Sequence, residues 1–312
     1  MLVKIYFLNK ILTFIKKTLY IMNMNTIKTY KFKLVPNKEQ EEILFHYLNT
    51  TRFIYNLCLD YKKNLYQNYN ISISKNDIQK ELKDIKNETE WIGSLHSQVI
   101  QEVTDRLFVS YDNFFRRVKK SENPGFPKFA KKDFWSSFKF KQGVKIHPNT
   151  NKVNIPKVGK IKFRKSQEIF GIIKTASIKR KVDGWYVCLS SELNIEKYEP
   201  NSNVIGLDLG ITDLVVDSFG NKIENPKTLK IWRDKLIKIQ RELSKKQKGS
   251  NNRDKAKEKL KKTHLKIARI RKDNLHNLTK KIINENQVII CEDLKIQNMQ
   301  KNHKLAGSIS DA

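Results

Sequence analysis

Three cysteines in 312 residues, Cys58, Cys188 and Cys291, stand far apart with no C-x-x-C pair. Neither a disulfide framework nor a thiolate zinc site is suggested by that spacing, so no zinc is expected in this chain. A reducing compartment fits, and a cytoplasmic location is expected. The six histidines, His46, His96, His147, His264, His276 and His303, form no H-x-H or H-x-x-x-H cluster, which speaks against a histidine-metal relaxase and against a zincin. Long apolar runs are missing too. Met1 to Met24 is apolar, but Lys4, Lys10, Lys16 and Lys17 interrupt it short of the roughly 18 apolar residues that span a bilayer, and no small-residue cleavage site follows. No membrane partner is expected. Residues 1–24 read as an extension ahead of a start at Met22 or Met24, with a surface amphipathic helix as the alternative.

Acidic residues are the other deficit. Against 32 Asp and Glu stand 62 Lys and Arg, for a formal net charge of +30, and the basic residues run through every segment. Solubility needs a net charge of only about 2 to 8 on a small domain. A polyanion is the expected partner, since each phosphate neutralised by Lys or Arg releases a condensed counterion. Disorder is excluded by a 39% hydrophobic and 10% aromatic content.

The expected fold class is α+β and multidomain. Residues 25–131 read as a strand followed by helices. Thr26 to Leu34 alternates polar and apolar residues, and Pro36-Asn37 breaks it. Asn37 is the expected N-cap of the next helix, with Gln40 completing a capping box, and Ile43, Leu44, Tyr47 and Leu48 mark its apolar face. Residues 50–68, 76–86 and 96–120 also read as helices. In the last, Val103, Leu107, Tyr111, Phe114, Phe115 and Val118 recur at helical spacing as a core stripe. Arg116, Arg117 and Lys119 project elsewhere as candidate phosphate contacts, joined by Arg52 and Lys128.

Asn123-Pro124-Gly125-Phe126-Pro127 forbids a regular element. Residues 132–200 then read as short strands at barrel-like spacing, with Lys181-Val182-Asp183-Gly184 as a hairpin turn. Lys162, Arg164, Lys179 and Arg180 stud them with charge, which suits a nucleic-acid backbone.

Residues 201–312 carry the candidate chemistry. Two apolar runs read as buried strands, Val204 to Gly210 and Gln287 to Leu294, and each holds an acid, Asp208 and Glu292. A carboxylate inside a strand is costly unless compensated, and a divalent metal is a compensation that also performs chemistry. Alternation sets Gly206, Asp208 and Gly210 on one face, where two missing side chains are expected to leave a gap for a metal and a phosphate. Leu214 to Asp217, returning through Ser218-Phe219-Gly220-Asn221, reads as a hairpin strand. Leu229, Trp232, Leu236, Ile239 and Leu243, then Leu260, Ile267, Leu275, Leu278 and Ile282 beyond a break at Gly249 to Asn252, read as an antiparallel helical hairpin with a basic exterior. A strand hairpin, helices, and a strand returning beside the first is the order of an RNase H-like nuclease. In such a site two magnesium ions roughly 3.5 to 4 Å apart activate water for phosphodiester hydrolysis.

Tyr30 to Gln40, Asn123 to Phe129, Gly206-Leu207-Asp208-Leu209-Gly210, Glu224-Asn225-Pro226-Lys227 and Glu292-Asp293-Leu294 together resemble the OrfB or TnpB proteins of bacterial insertion sequences. The resemblance runs from about residue 26 to the last residue. It implies a wedge-like barrel with a helical insertion, described from sequence as helix-turn-helix, followed by a RuvC-type nuclease. It further implies a transposon-derived guide RNA, DNA as substrate, magnesium as cofactor, and kinship with type V CRISPR effectors. Asp208 matches the first RuvC carboxylate and Glu292 the second. In the family a helix, a zinc ribbon and a third aspartate follow the motif that here reads Ser308-Ile309-Ser310-Asp311-Ala312, and these 312 residues do not contain them. An incomplete RuvC domain with little or no nuclease activity is therefore expected. The alternative is a DNA- or RNA-binding remnant or regulator without catalysis.

Overall fold

A computed structural model describes residues 25–194 and 201–311, which fall into two compact units that divide between these ranges. The reading of 1–24 as an extension lies outside the described residues.

In the first unit, β1 (Asn25–Val35) leads into α1 (Lys38–Tyr69). Asn37 caps α1 as a full capping box: its side chain accepts from the Gln40 amide at 2.7 Å, and Gln40 returns the bond to the Asn37 amide at 3.2 Å. Two helices were expected here, meeting near Asn49; α1 is instead one unbroken helix of 32 residues. The β-branched hydroxyls of that stretch do not break it, because Thr51 Oγ1 is satisfied by donating to the Tyr47 carbonyl one turn back, at 2.7 Å. Helices α2 (Lys75–Glu88), α3 (Glu90–Gly93) and α4 (Ser97–Lys119) follow.

Strands β2 (Ser137–Phe140), β3 (Lys145–His147), β4 (Lys152–Ile155), β5 (Gly159–Arg164), β6 (Ile172–Lys181) and β7 (Gly184–Asn194) complete a seven-stranded antiparallel sheet in the order β2-β6-β7-β1-β5-β4-β3. Its edges are β2 and β3, so among the described residues it is an open sheet. The strands after residue 132 do not close on one another. They pair around β1, whose Lys33 faces Tyr186 of β7 on one side and Arg164 of β5 on the other. Alternation decides the faces. Tyr30, Phe32 and Leu34 of β1, Phe138 and Phe140 of β2, and Ile161 and Phe163 of β5 are buried against Leu44, Tyr47 and Ile54 of α1 and Val99, Val103 and Leu107 of α4. Each of these side chains contributes roughly 1.5 to 3 kcal/mol by leaving water. Trp185 fits this core because its indole N–H donates to Glu41 at 3.0 Å.

The second unit is a four-stranded sheet in the order β10-β9-β8-β11, from β8 (Val204–Leu209), β9 (Asp213–Asp217), β10 (Lys222–Glu224) and β11 (Val288–Cys291). Helices α5 (Thr228–Ser244) and α6 (Asn251–Glu285) pack as the expected hairpin, and the short α7 (Ile296–Met299) and α8 (Ala306–Asp311) follow β11. Strand β11 runs parallel to β8, as a crossover through helices requires. The reading of Gln287 to Leu294 as a buried strand is corrected: β11 is an edge strand with only β8 beside it, and Ile290 is 48% exposed.

Candidate metal site and nucleic-acid interface

The parallel ladder aligns Val288, Ile289, Ile290 and Cys291 with Val204, Ile205, Gly206 and Leu207. One residue beyond the last pair on each strand stand Asp208 and Glu292, so strand register alone makes them neighbours across a long sequence separation. Leu207 and Leu209 line an apolar cavity of about 310 Å³ together with Leu278 and Ile282 of α6 and Met299 of α7. Alternation therefore turns Asp208 to the opposite face of the sheet. Both carboxylates are exposed. The burial cost inferred for them from sequence does not apply, because water reaches both acids: Glu292 lies just past the end of the edge strand β11, and Asp208 near the end of β8.

The flanking glycines also differ from expectation. A Cβ on Gly206 would meet Ser218 Cβ at an ordinary 3.5 Å, and Ser218 brackets this glycine, its Oγ accepting from the Gly206 amide at 3.2 Å and its own amide donating to the Gly206 carbonyl at 2.9 Å. A Cβ on Gly210 would run into the Asp213 carbonyl oxygen at 2.6 Å. Gly210 thus permits the tight approach of the β8–β9 turn rather than opening a gap for a metal. Among the described residues no set of three Asp, Glu, His or Cys side chains converges. The donor set at this point is two hard carboxylates with open solvent around them, a chemistry that suits a magnesium ion completing its shell with water and phosphate oxygens.

Other acids of this unit serve the backbone. Asp217 accepts from the amides of Phe219 and Asn221, each at 2.9 Å, and from the Asn221 side chain at 2.8 Å. The Asn221 side-chain bond, ahead of the two amides, holds its carboxyl below the ordinary value, against a smaller upward push from burial. Asn225 is buried and bridges the Ile211 carbonyl and the Lys227 amide. Lys227 adopts a left-handed conformation, φ 46°, and gives α5 no side-chain cap. Asp311 supplies it from α8, accepting from the amides of Leu229 at 2.6 Å and Lys230 at 3.0 Å. Sequence spacing gave no sign of that contact.

The basic candidates divide. On the outer face of the seven-stranded sheet, register lines up Lys179, Tyr186, Lys33 and Arg164 across β6, β7, β1 and β5, with Lys162 one step along opposite Lys152. Lys33 and Lys31 were not singled out from sequence, although the alternation of β1 places both opposite its buried Tyr30 and Phe32. Lys31 Nζ lies 4.3 Å above the Tyr186 ring, and Lys33 pairs with Asp183 at 3.2 Å. Arg180 projects the other way, over Phe45 and Trp185 at 5.6 and 5.7 Å, and so packs at the core's margin. Arg52 is half-buried on α1, its Nε enclosed with no hydrogen-bond partner among the described residues. Arg117 donates to the Pro124 carbonyl at 3.3 Å, fastening the proline-rich loop. Arg116, Lys119 and Lys128 are exposed, the first two in the last turn of α4, where cations also complement the helix dipole.

A family model described as "Probable transposase" (OrfB) matches residues 186–303, and one described as "Helix-turn-helix domain" matches residues 22–70. The described part of the latter span folds as β1 and the single helix α1. The chain is 31% identical over 290 residues to "Putative RNA-guided DNA endonuclease InsQ" of Escherichia coli K12, covering 92% of this chain and 70% of that protein. It is 30% identical over 291 residues to "Putative RNA-guided DNA endonuclease" of Streptomyces pristinaespiralis, covering 91% and 71%. A chain from the Cas12f1-sgRNA-target DNA complex aligns over 92% of this chain and 80% of its own at 17% identity, with a TM-score of 0.34, too slight a likeness to carry an argument. On these two alignments and both family models, the chain belongs to the OrfB/TnpB family of insertion-sequence transposon proteins.

Proposed function

We propose that this protein works as its relatives are named, as an RNA-guided DNA endonuclease of a transposon, with a guide RNA and DNA as partners and Asp208 and Glu292 as its metal-binding acids. The observation that carries the proposal is the parallel β8–β11 register, whose last pair, Leu207 with Cys291, stands one residue before both acids. The helical hairpin inserted between β10 and β11 supports an RNase H-like, RuvC-type reading of the second unit. The basic outer face of the first unit's open sheet supports a nucleic-acid-binding role, with Lys162, Arg164 and Lys179 among the phosphate contacts.

Asp208 and Glu292 would hold the magnesium ion, which supplies activation of a water and stabilisation of the leaving oxygen in phosphodiester hydrolysis. The chain's own part is to fix both carboxylates by strand pairing and to hold the phosphate backbone with lysine and arginine. Two carboxylates leave most of an octahedral shell to water and phosphate. The 312-residue polypeptide is therefore expected to bind magnesium weakly and to cleave slowly or not at all, and a binding function without catalysis is the second reading, favoured by the want of a third converging ligand among the described residues. The test is cleavage of target DNA by this polypeptide loaded with its RNA, with and without magnesium, beside Asp208→Ala. Magnesium-dependent cleavage that Asp208→Ala abolishes establishes catalysis by these acids; RNA and DNA binding with no cleavage leaves the second reading. Failure to bind nucleic acid at moderate salt overturns both.

A further inference from the structure

The helical hairpin concentrates charge beyond the rest of the chain. Residues 228–285 hold twenty Lys and Arg against six Asp and Glu, an excess of fourteen out of the whole chain's +30. Along one side, α5 and α6 enclose an open groove of about 480 Å³ around Trp232, with Lys235 from α5 and Lys255, Lys259, Lys262 and Lys266 from α6. Two of these lysines are held by carboxylates, Lys259 by Glu242 at 3.0 Å and Lys262 by Glu258 at 2.8 Å. Among the described residues no carboxylate pairs with Lys235, Lys255 or Lys266. Lys235 and Lys266 instead lie over the indole, 5.0 and 4.9 Å from its centroid. Trp232 is half-buried and lines the groove.

Like charges gathered on an aromatic ring are favourable only weakly by the ring's quadrupole, and mutual repulsion opposes them. An anion relieves the repulsion, and a π-face offers a planar ligand a place to stack. We infer that this groove binds an unpaired nucleic-acid strand, its phosphates on Lys235, Lys255 and Lys266 and one base on Trp232. A duplex has phosphates but no free base face, so it would leave the tryptophan unused. The inference rests on the nucleic-acid-binding reading above and adds to it a location and a strandedness.

The test is fluorescence anisotropy with labelled 20-mers of deoxythymidine and of uridine, and a duplex of equal length, across a salt series. Three chains are compared: the unaltered protein, Trp232→Ala, and the exposed triple substitution Lys235→Gln/Lys255→Gln/Lys266→Gln, which leaves the hairpin's packing intact. A stacked base is worth about a factor of 5 to 100. Trp232→Ala is expected to weaken both single strands by about tenfold and the duplex by less than twofold. Three phosphate contacts contribute about 2 to the slope of log K against log salt, at roughly 0.7 per phosphate of a single strand. The lysine variant should lose about that much slope. Single-strand affinity and slope unchanged in both variants, or loss of duplex binding equal to that of single strands, would overturn the groove as the site. Absence of all nucleic-acid binding in the unaltered protein would instead overturn the broader reading.

Discussion

Replacing Asp311 should loosen the start of α5, a helix whose own sequence provides no cap. Lys227 stands at the N-cap position in a left-handed conformation with no side-chain bond, so the first amides of α5 depend on the carboxylate that α8 delivers, at 2.6 Å to Leu229 and 3.0 Å to Lys230. Losing an N-cap acceptor costs about 0.5 to 2 kcal/mol, and losing an anion at a helix N-terminus about 0.3 to 1 kcal/mol more. Water reaches these amides once the carboxylate is gone, so a net loss of about 1 to 2 kcal/mol is expected for Asp311→Ala. Asp311→Asn keeps one acceptor and drops the charge, and should lose about half as much. The assay is hydrogen exchange read by mass spectrometry on peptides covering 228–236. An opening free energy lowered by 1 to 2 kcal/mol accelerates exchange of these amides by roughly 5- to 30-fold. Asn should fall between Ala and the unaltered chain, and peptides from β1 should not change. Unaltered exchange in Asp311→Ala would show that α5 does not rely on this cap.

Asn37→Ala removes one arm of the capping box of α1 and should lower stability by about 1 kcal/mol in urea denaturation, with the slope against denaturant unchanged. Asp217, whose carboxyl is held below 3.8 chiefly by the Asn221 side chain, favours the folded β9–β10 turn when ionised. That contribution is complete above the unfolded carboxylate value and is lost as pH falls through the depressed folded one, so NMR shifts of Phe219 and Asn221 amides should move only below about pH 4. Asp217→Asn should abolish that titration. Of the three thiols, Cys58 is buried with its thiol pushed up to about 12 and Cys188 is buried, whereas Cys291 is exposed beside Glu292. Iodoacetamide should alkylate one thiol rapidly in the native protein, and Cys291→Ser should remove that phase.

Residues whose structure depends on near neighbours were legible in the sequence. The Asn37–Gln40 box, the Val182-Asp183 turn between Lys181 and Gly184, the strand alternation of β1 and the break before α6 all involve contacts within a few positions. The pairing of β11 with β8 was legible for another reason, since strand, helices and returning strand leave little choice of neighbour. The misreadings share a cause. The stretch after Asn37 and residues 50–68 read as two helices, yet they form one, the Thr51 hydroxyl within it satisfied by a backbone carbonyl one turn away. Apolar Val288 to Cys291 suggested burial, but burial depends on what covers a strand, and only β8 flanks this one. Gly206 and Gly210 suggested an open gap, yet Ser218 and Asp213 come up against them.

The sequence by itself determined the chain's excess of positive charge and the types of most elements, because composition, periodicity and local hydrogen bonding are properties of short stretches. Only the tertiary structure decided which face each basic residue occupies, that Arg180 packs on Trp185 while Lys179 joins Lys33 and Arg164, that Asp311 caps a helix 82 residues earlier, and that both candidate metal ligands stand in solvent. These outcomes follow from strand register and from side chains meeting across long sequence separations. A one-residue slip would reverse every face, and no local pattern in the sequence records which register won.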